Sequence, residues 1–219
     1  GDGICAGKFG DWRWGVEHKW IQDIGRRLTQ NEEIEFARRM EAAKKAREES
    51  ESVMRDNVSE IVDKIWNEAA HATEDHPYLV KKQIKPHGAR VTGDGRLIVP
   101  LYNDNGEMTT VQYIDANGGK LYHTGGKTGG SYWRIGADDD NTRVYLAEGY
   151  ATAATIAETT SKACYIAYAA SNIPTVVGQL RERYGPSTRI IIVADNDRSG
   201  VGKNHADQAS AKYGATVIV

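Results

Sequence analysis

The sequence predicts an α/β fold: a small doubly wound parallel sheet, preceded by an α+β subdomain and a long N-terminal helix. Three observations predict it. The runs Val144–Ala147 and Ile190–Val193 are almost continuously apolar, as in strands buried on both faces. Helix-like and strand-like stretches alternate between and after those runs, and parallel neighbours need crossover helices. Residues 30 to 70 contain neither Pro nor Gly, which allows one extended helix.

Residues 1 to 25 gather Gly and Trp, with Trp12, Trp14 and Trp20 among Gly10, Gly15 and Gly25. Tryptophans in such a turn-rich stretch are expected to pack on their neighbours. The long helix follows, with Asn31 as its expected N-cap and Glu32, Glu33 and Glu35 complementing the dipole of its first turn. Its first half is charged through Arg38, Arg39, Lys44, Lys45 and Arg47, which predicts a solvated face, a linker arm or a contact for another domain. Its second half carries Met54, Val58, Ile61, Val62, Ile65, Trp66 and Ala69 at helical spacing, a stripe expected to dock on the body.

His76-Pro77 ends that pattern, and a short helix is predicted from Pro77 to Lys82. Arg96 to Leu101, Thr109 to Asp115 and Lys120 to His123 then read as antiparallel strands. Turn signals at Asp94-Gly95, Asn105-Gly106 and Asn117-Gly118-Gly119 punctuate them. Tyr132 to Ile135 offers one further strand, and Asp138 to Asp140 an exposed connector. Beyond it, helices are predicted over Ala151 to Thr160, Thr175 to Tyr184 and Gly202 to Tyr213. Strands are predicted over Ala163 to Tyr168 and Ala215 to Val219. The expected boundaries are residues 1–72, 73–140 and 141–219.

In doubly wound sheets, ligands sit beyond the carboxyl ends of the strands. Glu148, Asp195 and Asp197 all follow strand ends, so three carboxylates are expected on one edge. Such charges repel unless a cation neutralises them, and hard oxygen ligands suit Mg²⁺ or Mn²⁺.

Composition narrows the rest. At 219 residues with net charge −2, the chain advertises no global basic field, so any nucleic-acid site must be local. Cys5 and Cys164 form no Cys-x-x-Cys pair, which argues for a reducing compartment and against a zinc site. There is no signal peptide and no apolar run near roughly 18 residues, predicting a cytoplasmic protein without a membrane partner. The first residue is Gly and the last three are an apolar strand, so a piece of a longer chain is expected.

A strand ending in Glu148-Gly149, followed later by one ending in Asp195-Asn196-Asp197, resembles the Toprim domain of primases, topoisomerases and some nucleases. The wording of residues 146–155, Leu-Ala-Glu-Gly-Tyr-Ala-Thr-Ala-Ala-Thr, is similar to the phage and plasmid type of DNA primase. Leu97 to Leu101, an Asn-Gly turn, Gln112 to Asp115 and Gly119 to Tyr122 resemble the mixed α/β half of a primase core. The resemblance covers residues 75–219 well and the first 70 weakly.

It implies template-directed RNA primer synthesis on single-stranded DNA from ribonucleoside triphosphates, in a bacterium or a phage-infected host. Glu148, Asp195 and Asp197 would be the catalytic metal-binding residues. Arg96 and Lys120, with Lys127 and Arg134 close by, would hold template or nucleotide; a second basic position common in the Gln112-Tyr113 strand is absent. A replicative helicase, or a helicase domain of the parent chain, is the expected partner. The alternatives are a Toprim nuclease using the same carboxylates, and a replication module that binds DNA or a partner without catalysis.

Other motifs weigh less. Gly125–Gly130 and Gly200–Lys203 both hint at phosphate loops. A P-loop, however, needs Gly where Leu121 and Asp197 stand, so ATPase and helicase activity are not expected here. A glycine-rich loop beside strand ends still approaches phosphate closely with its backbone N–H groups. Lys81, Lys82, Lys85 and Arg90 form a basic run and a candidate single-strand-binding patch. Asn172 falls on the active edge, as substrate contact or helix cap.

Overall fold

A computed structural model describes residues 5–11, 16–23, 25–137, 142–194 and 200–219. The chain forms two compact units, Gly1–Val53 and Met54–Val219.

In the first unit, β1 (Ala6–Asp11) and β2 (Val16–Ile21) pair antiparallel, with the rings of Phe9 and His18 5.4 Å apart. Trp12 and Trp14 lie outside the described residues, and Trp20 is half exposed rather than packed away. Helix α1 (Gln30–Glu68) begins here. Its cap is Thr29, not Asn31: the Glu32 carboxylate accepts from the Thr29 N–H at 2.8 Å, and Glu32 N–H donates back to Thr29 Oγ1. This reciprocal pair is the capping box that Thr-x-x-Glu encodes. A hydrogen bond from Arg26, then those from Thr29, hold Glu32 down at about 2. Pairs one turn apart, Arg39–Glu35 at 2.7 Å and Arg47–Glu51 at 2.8 Å, lace the charged, solvated half.

The second unit starts with the last turns of α1. Only part of the expected stripe docks. Val58 and Val62 are buried against Met108 and Val111, with Trp66 packed alongside, while Met54 and Ile61 are 55% and 48% exposed. The stripe is therefore narrower than its sequence suggested, because the helix touches the sheet along one line.

An antiparallel sheet has the order β3-β4-β5-β6-β7. Its strands are β3 (Ala70–His71), β4 (Arg90–Val91), β5 (Leu97–Tyr102), β6 (Met108–Ile114) and β7 (Lys120–Tyr122). Helix α2 (Pro77–Lys82) opens with proline, and His76 Nδ1 accepts from the Tyr78 N–H. A second sheet has the order β12-β11-β9-β10-β8. It comprises β8 (Trp133–Ile135), β9 (Arg143–Ala147), β10 (Cys164–Ile166), β11 (Arg189–Val193) and β12 (Thr216–Ile218). The last four are parallel, and β8 adds antiparallel to β10.

Helix α3 (Tyr150–Thr160) buries Ala153, Ala154 and Ala157 in a core shared with Leu97, Val99 and Ile114 of the first sheet. Helices α4 (Ile173–Tyr184) and α5 (Val201–Tyr213) cover the other face, around Val144, Leu146, Ile190 and Ile192. The predicted double winding is present. Tyr102 and Tyr132 exchange two main-chain hydrogen bonds of 2.9 Å and so join the sheets. Among the described residues no helix is long and apolar enough to cross a membrane.

Candidate active site

The carboxyl end of the parallel sheet is built by register. Ala147 of β9 is level with Ile166 of β10 and with Val193 of β11. Glu148 comes next, half-buried, and Gly149 starts α3 in an extended conformation without a side-chain cap. Asp195 and Asp197, which follow β11 in sequence, lie outside the described residues, as do Asp138 to Asp140.

The strand end carrying Glu148 is fixed through Tyr168. The Tyr168 N–H donates to the Glu148 carbonyl at 2.8 Å. Tyr168 itself holds φ +65°, a left-handed conformation a bulky residue adopts only when its surroundings impose it. Here its phenol donates to the Pro100 carbonyl, and its own carbonyl accepts from the Tyr122 phenol at 2.8 Å. Burial raises the pKa of Tyr122; the Gln112 hydrogen bond opposes that rise and the Glu148 charge adds to it. Tyr122 on β7 thus stands near Glu148, and Gln112 on β6 bonds to Tyr122. At the start of α5, a Cβ built on the buried Gly202 would lie 3.6 Å from Glu148 Oε2, so the α5 backbone comes close to the carboxylate.

Positive charge stands next to it. Lys120 Nζ would be 3.5 Å from a Cβ on Gly149. Lys120 shares a cleft of about 290 Å³ with Lys81, Lys82 and Thr152. It also borders a second cleft of about 240 Å³, with Arg96, Tyr113 and the 68% exposed Leu121. Arg96 lies 4.4 Å over the Tyr113 ring and pairs with Asp94 at 2.7 Å. Hydrogen bonds from Arg96 and Thr92 hold Asp94 down at about 2.

The other expected residues scatter. The basic run does not form one patch. Lys81 and Lys82 face the cleft, the Lys85 N–H donates to Glu158, and Arg90 lies 4.8 Å over the Trp66 ring. Lys81 and Lys82 belong to α2 and Arg90 to β4, a division that a one-dimensional count of charges does not register. Arg134 borders a separate cleft of about 290 Å³ with Arg183 and Tyr132. Asn172 is 6% exposed and bonded to main chain throughout, donating to Ser131 and Ala167 carbonyls at 2.9 Å and accepting from the Gly130 N–H at 2.7 Å. Tyr122, Gln112 and Tyr168 escaped the sequence reading. Their only signal was position on predicted strands and strand ends.

No protein-family model matches the chain. It is 28% identical over 229 aligned positions to a DNA primase TraC of Escherichia coli, covering 99% of this chain and 21% of that protein. A second DNA primase TraC of Escherichia coli is 26% identical over 231 positions, 99% of this chain and 16% of the relative. The chain therefore spans about a fifth of the length of these curated relatives. Among solved structures, the DnaG primase catalytic domain bound to single-stranded DNA superposes with a TM-score of 0.51 at 12% identity, over 72% of this chain and 66% of that one. The fold is that of a primase catalytic domain, and the chain is similar along nearly its whole length to a segment of the DNA primases TraC.

Proposed function

We propose that the chain is the catalytic segment of a phage- or plasmid-type DNA primase, joining ribonucleotides on a single-stranded DNA template. The observation that carries this reading is the placement of Glu148. It is pinned through Tyr168 at the carboxyl end of β9, with the Gly202 backbone close to its carboxylate and the Lys120 ammonium beside the next residue. In the reaction a primer 3′-hydroxyl attacks the α-phosphate of a ribonucleoside triphosphate. The new P–O bond forms as the bond to the β-phosphate breaks, and pyrophosphate leaves.

The oxygen donors of Glu148, Asp195 and Asp197 fit Mg²⁺ or Mn²⁺. When bound, the ion would neutralise charge developing on the attacking and leaving oxygens. Lys120, Lys81 and Lys82 would hold the nucleotide phosphates in their shared cleft, a reading supported by three lysines lining it beside Thr152 of α3. Arg96 and Tyr113 would offer template a guanidinium and an aromatic face. A replicative helicase as partner and the cytoplasm as compartment belong to the same reading.

Primer synthesis on single-stranded DNA with ribonucleotides and Mg²⁺ or Mn²⁺ tests it, with labelled DNA included to reveal cutting. Synthesis lost in Glu148→Gln at unchanged folding is the expected outcome. Cleavage without synthesis would replace this reading with a nuclease, and full synthesis by Glu148→Gln would remove Glu148 from the site.

A further inference from the structure

The glycine-rich loop between β7 and β8, residues 124–130, is held far more tightly than a surface connection requires. The Gly126 N–H donates to the His123 carbonyl, and the Gly126 backbone runs so close to β6 that a Cβ there would fall 2.2 Å from Thr110 Oγ1. At the other end, Gly130 is gripped twice, its N–H by Asn172 Oδ1 and its carbonyl by Gln179 Nε2 at 3.1 Å. Asn172 also donates to the Ala167 carbonyl, and the Ala167 N–H donates to the Ala147 carbonyl, directly before Glu148. The loop is thus moored one strand away from the carboxylate, at the same end of the sheet.

Between these anchors the main-chain N–H groups of Lys127, Thr128 and Gly129 have no acceptor among the described residues, and neither does the exposed Lys127 ammonium. A Cβ on Gly129 would meet no atom within 4 Å, so the space before it is open. The sequence contains no Asp or Glu from Ala116 to Ala137. Consecutive backbone donors beside a cation, in a loop already ordered, suit an anion carrying several acceptor oxygens.

We propose that the amides of Lys127, Thr128 and Gly129, with the Lys127 ammonium, bind a phosphate of the nucleic-acid strand or of the nucleotide, and that Asn172 is the positioning residue of this loop. The proposal rests on the primase reading for its ligand and adds to it a contact beyond the lysine cleft. The buried Asn172 has its amide committed to main chain, so it acts through the loop and not on the ligand.

The test is binding without metal, using a twelve-nucleotide oligothymidylate and, separately, ATP. Backbone amide resonances of residues 127–129 are followed by NMR. Oligothymidylate should shift these resonances if the phosphate belongs to the strand, and ATP if it belongs to the nucleotide. Lys127→Ala should weaken binding of the responding probe several-fold at low salt. For the strand it should also flatten the salt dependence by about 0.7 in the log–log slope. Asn172→Ala should weaken the same probe, and the double variant should bind no worse than the weaker single one, which a merely structural role would not produce. Silent amides, or unchanged affinity of Lys127→Ala for both probes, overturn the proposal. Responding amides in a protein that makes no primers would overturn the primase reading and keep the loop; primer synthesis with a silent loop would do the reverse.

Discussion

The phenol of Tyr122 donates a 2.8 Å hydrogen bond to the main-chain carbonyl of Tyr168, a residue held in the left-handed region. Because the Tyr168 N–H is bonded to the Glu148 carbonyl, one hydroxyl on β7 steadies the strand end that carries the candidate catalytic carboxylate.

Tyr122→Phe deletes that donor and leaves the rest of the ring in place. Chemical denaturation should show a loss of about 1 kcal/mol, the usual net worth of one such bond. Primer synthesis should slow by about tenfold in kcat, with KM for nucleotide unchanged, as expected when orientation and not binding is lost. A wild-type kcat would confine Tyr122 to folding.

Gly202→Ala separates stability from activity. The added methyl reaches only ordinary contact distance, 3.6 Å from Glu148 Oε2, and alanine suits a helix better than glycine. Thermal unfolding should show equal or higher stability, by up to about 1 kcal/mol. Synthesis should nonetheless fall, since the methyl would stand against the carboxylate proposed to hold the ion. Full activity would show that this space is not used.

The Asp94–Arg96 pair gives a pH prediction. Arg96 and then Thr92 hold the Asp94 carboxyl at about 2. A depressed carboxylate adds stability above its unfolded value near ~3.9, and loses that contribution as pH falls through the folded value. In Arg96→Ala the Asp94 midpoint, read by carboxyl-carbon NMR, should rise toward the ordinary range. Asp94→Asn should release Arg96 and strengthen oligothymidylate binding, more at low salt than at high. Unchanged binding would place Arg96 off the template path.

Divalent metal should stabilise the protein by mass action if the three carboxylates share an ion. We expect the melting temperature to rise with millimolar Mg²⁺ or Mn²⁺ and not with Na⁺ at equal ionic strength. Asp195→Asn combined with Asp197→Asn should abolish the rise. If the shift persists, the ions bind elsewhere, with Asp138 to Asp140 the first place to look.

The regular elements were legible because their signals are local. Uninterrupted apolar runs marked β9 and β11, and Pro77 marked the first turn of α2. The motif Thr29-x-x-Glu32 is equally visible, but Asn31, two residues on, is also a capping residue type, and sequence alone does not separate the two. Glu148 was legible as a residue type at a strand end. The company it keeps was not: Tyr122 reaches Tyr168 across 46 positions of sequence, through the packing of two sheets. Asn172 shows the opposite limit, since its edge position suggested ligand contact while burial turned its amide to main chain.

The paired main-chain hydrogen bonds between Tyr102 and Tyr132 would bear on how the product of the proposed reaction leaves. They stitch the two sheets into one continuous surface, and Arg183 of α4 adds a second tie to Asp104 in the β5–β6 turn at 2.6 Å. For the primase proposed here, such ties would let both sheets act as one face, so a growing hybrid would advance by sliding over it and processivity would depend on grip on the strand.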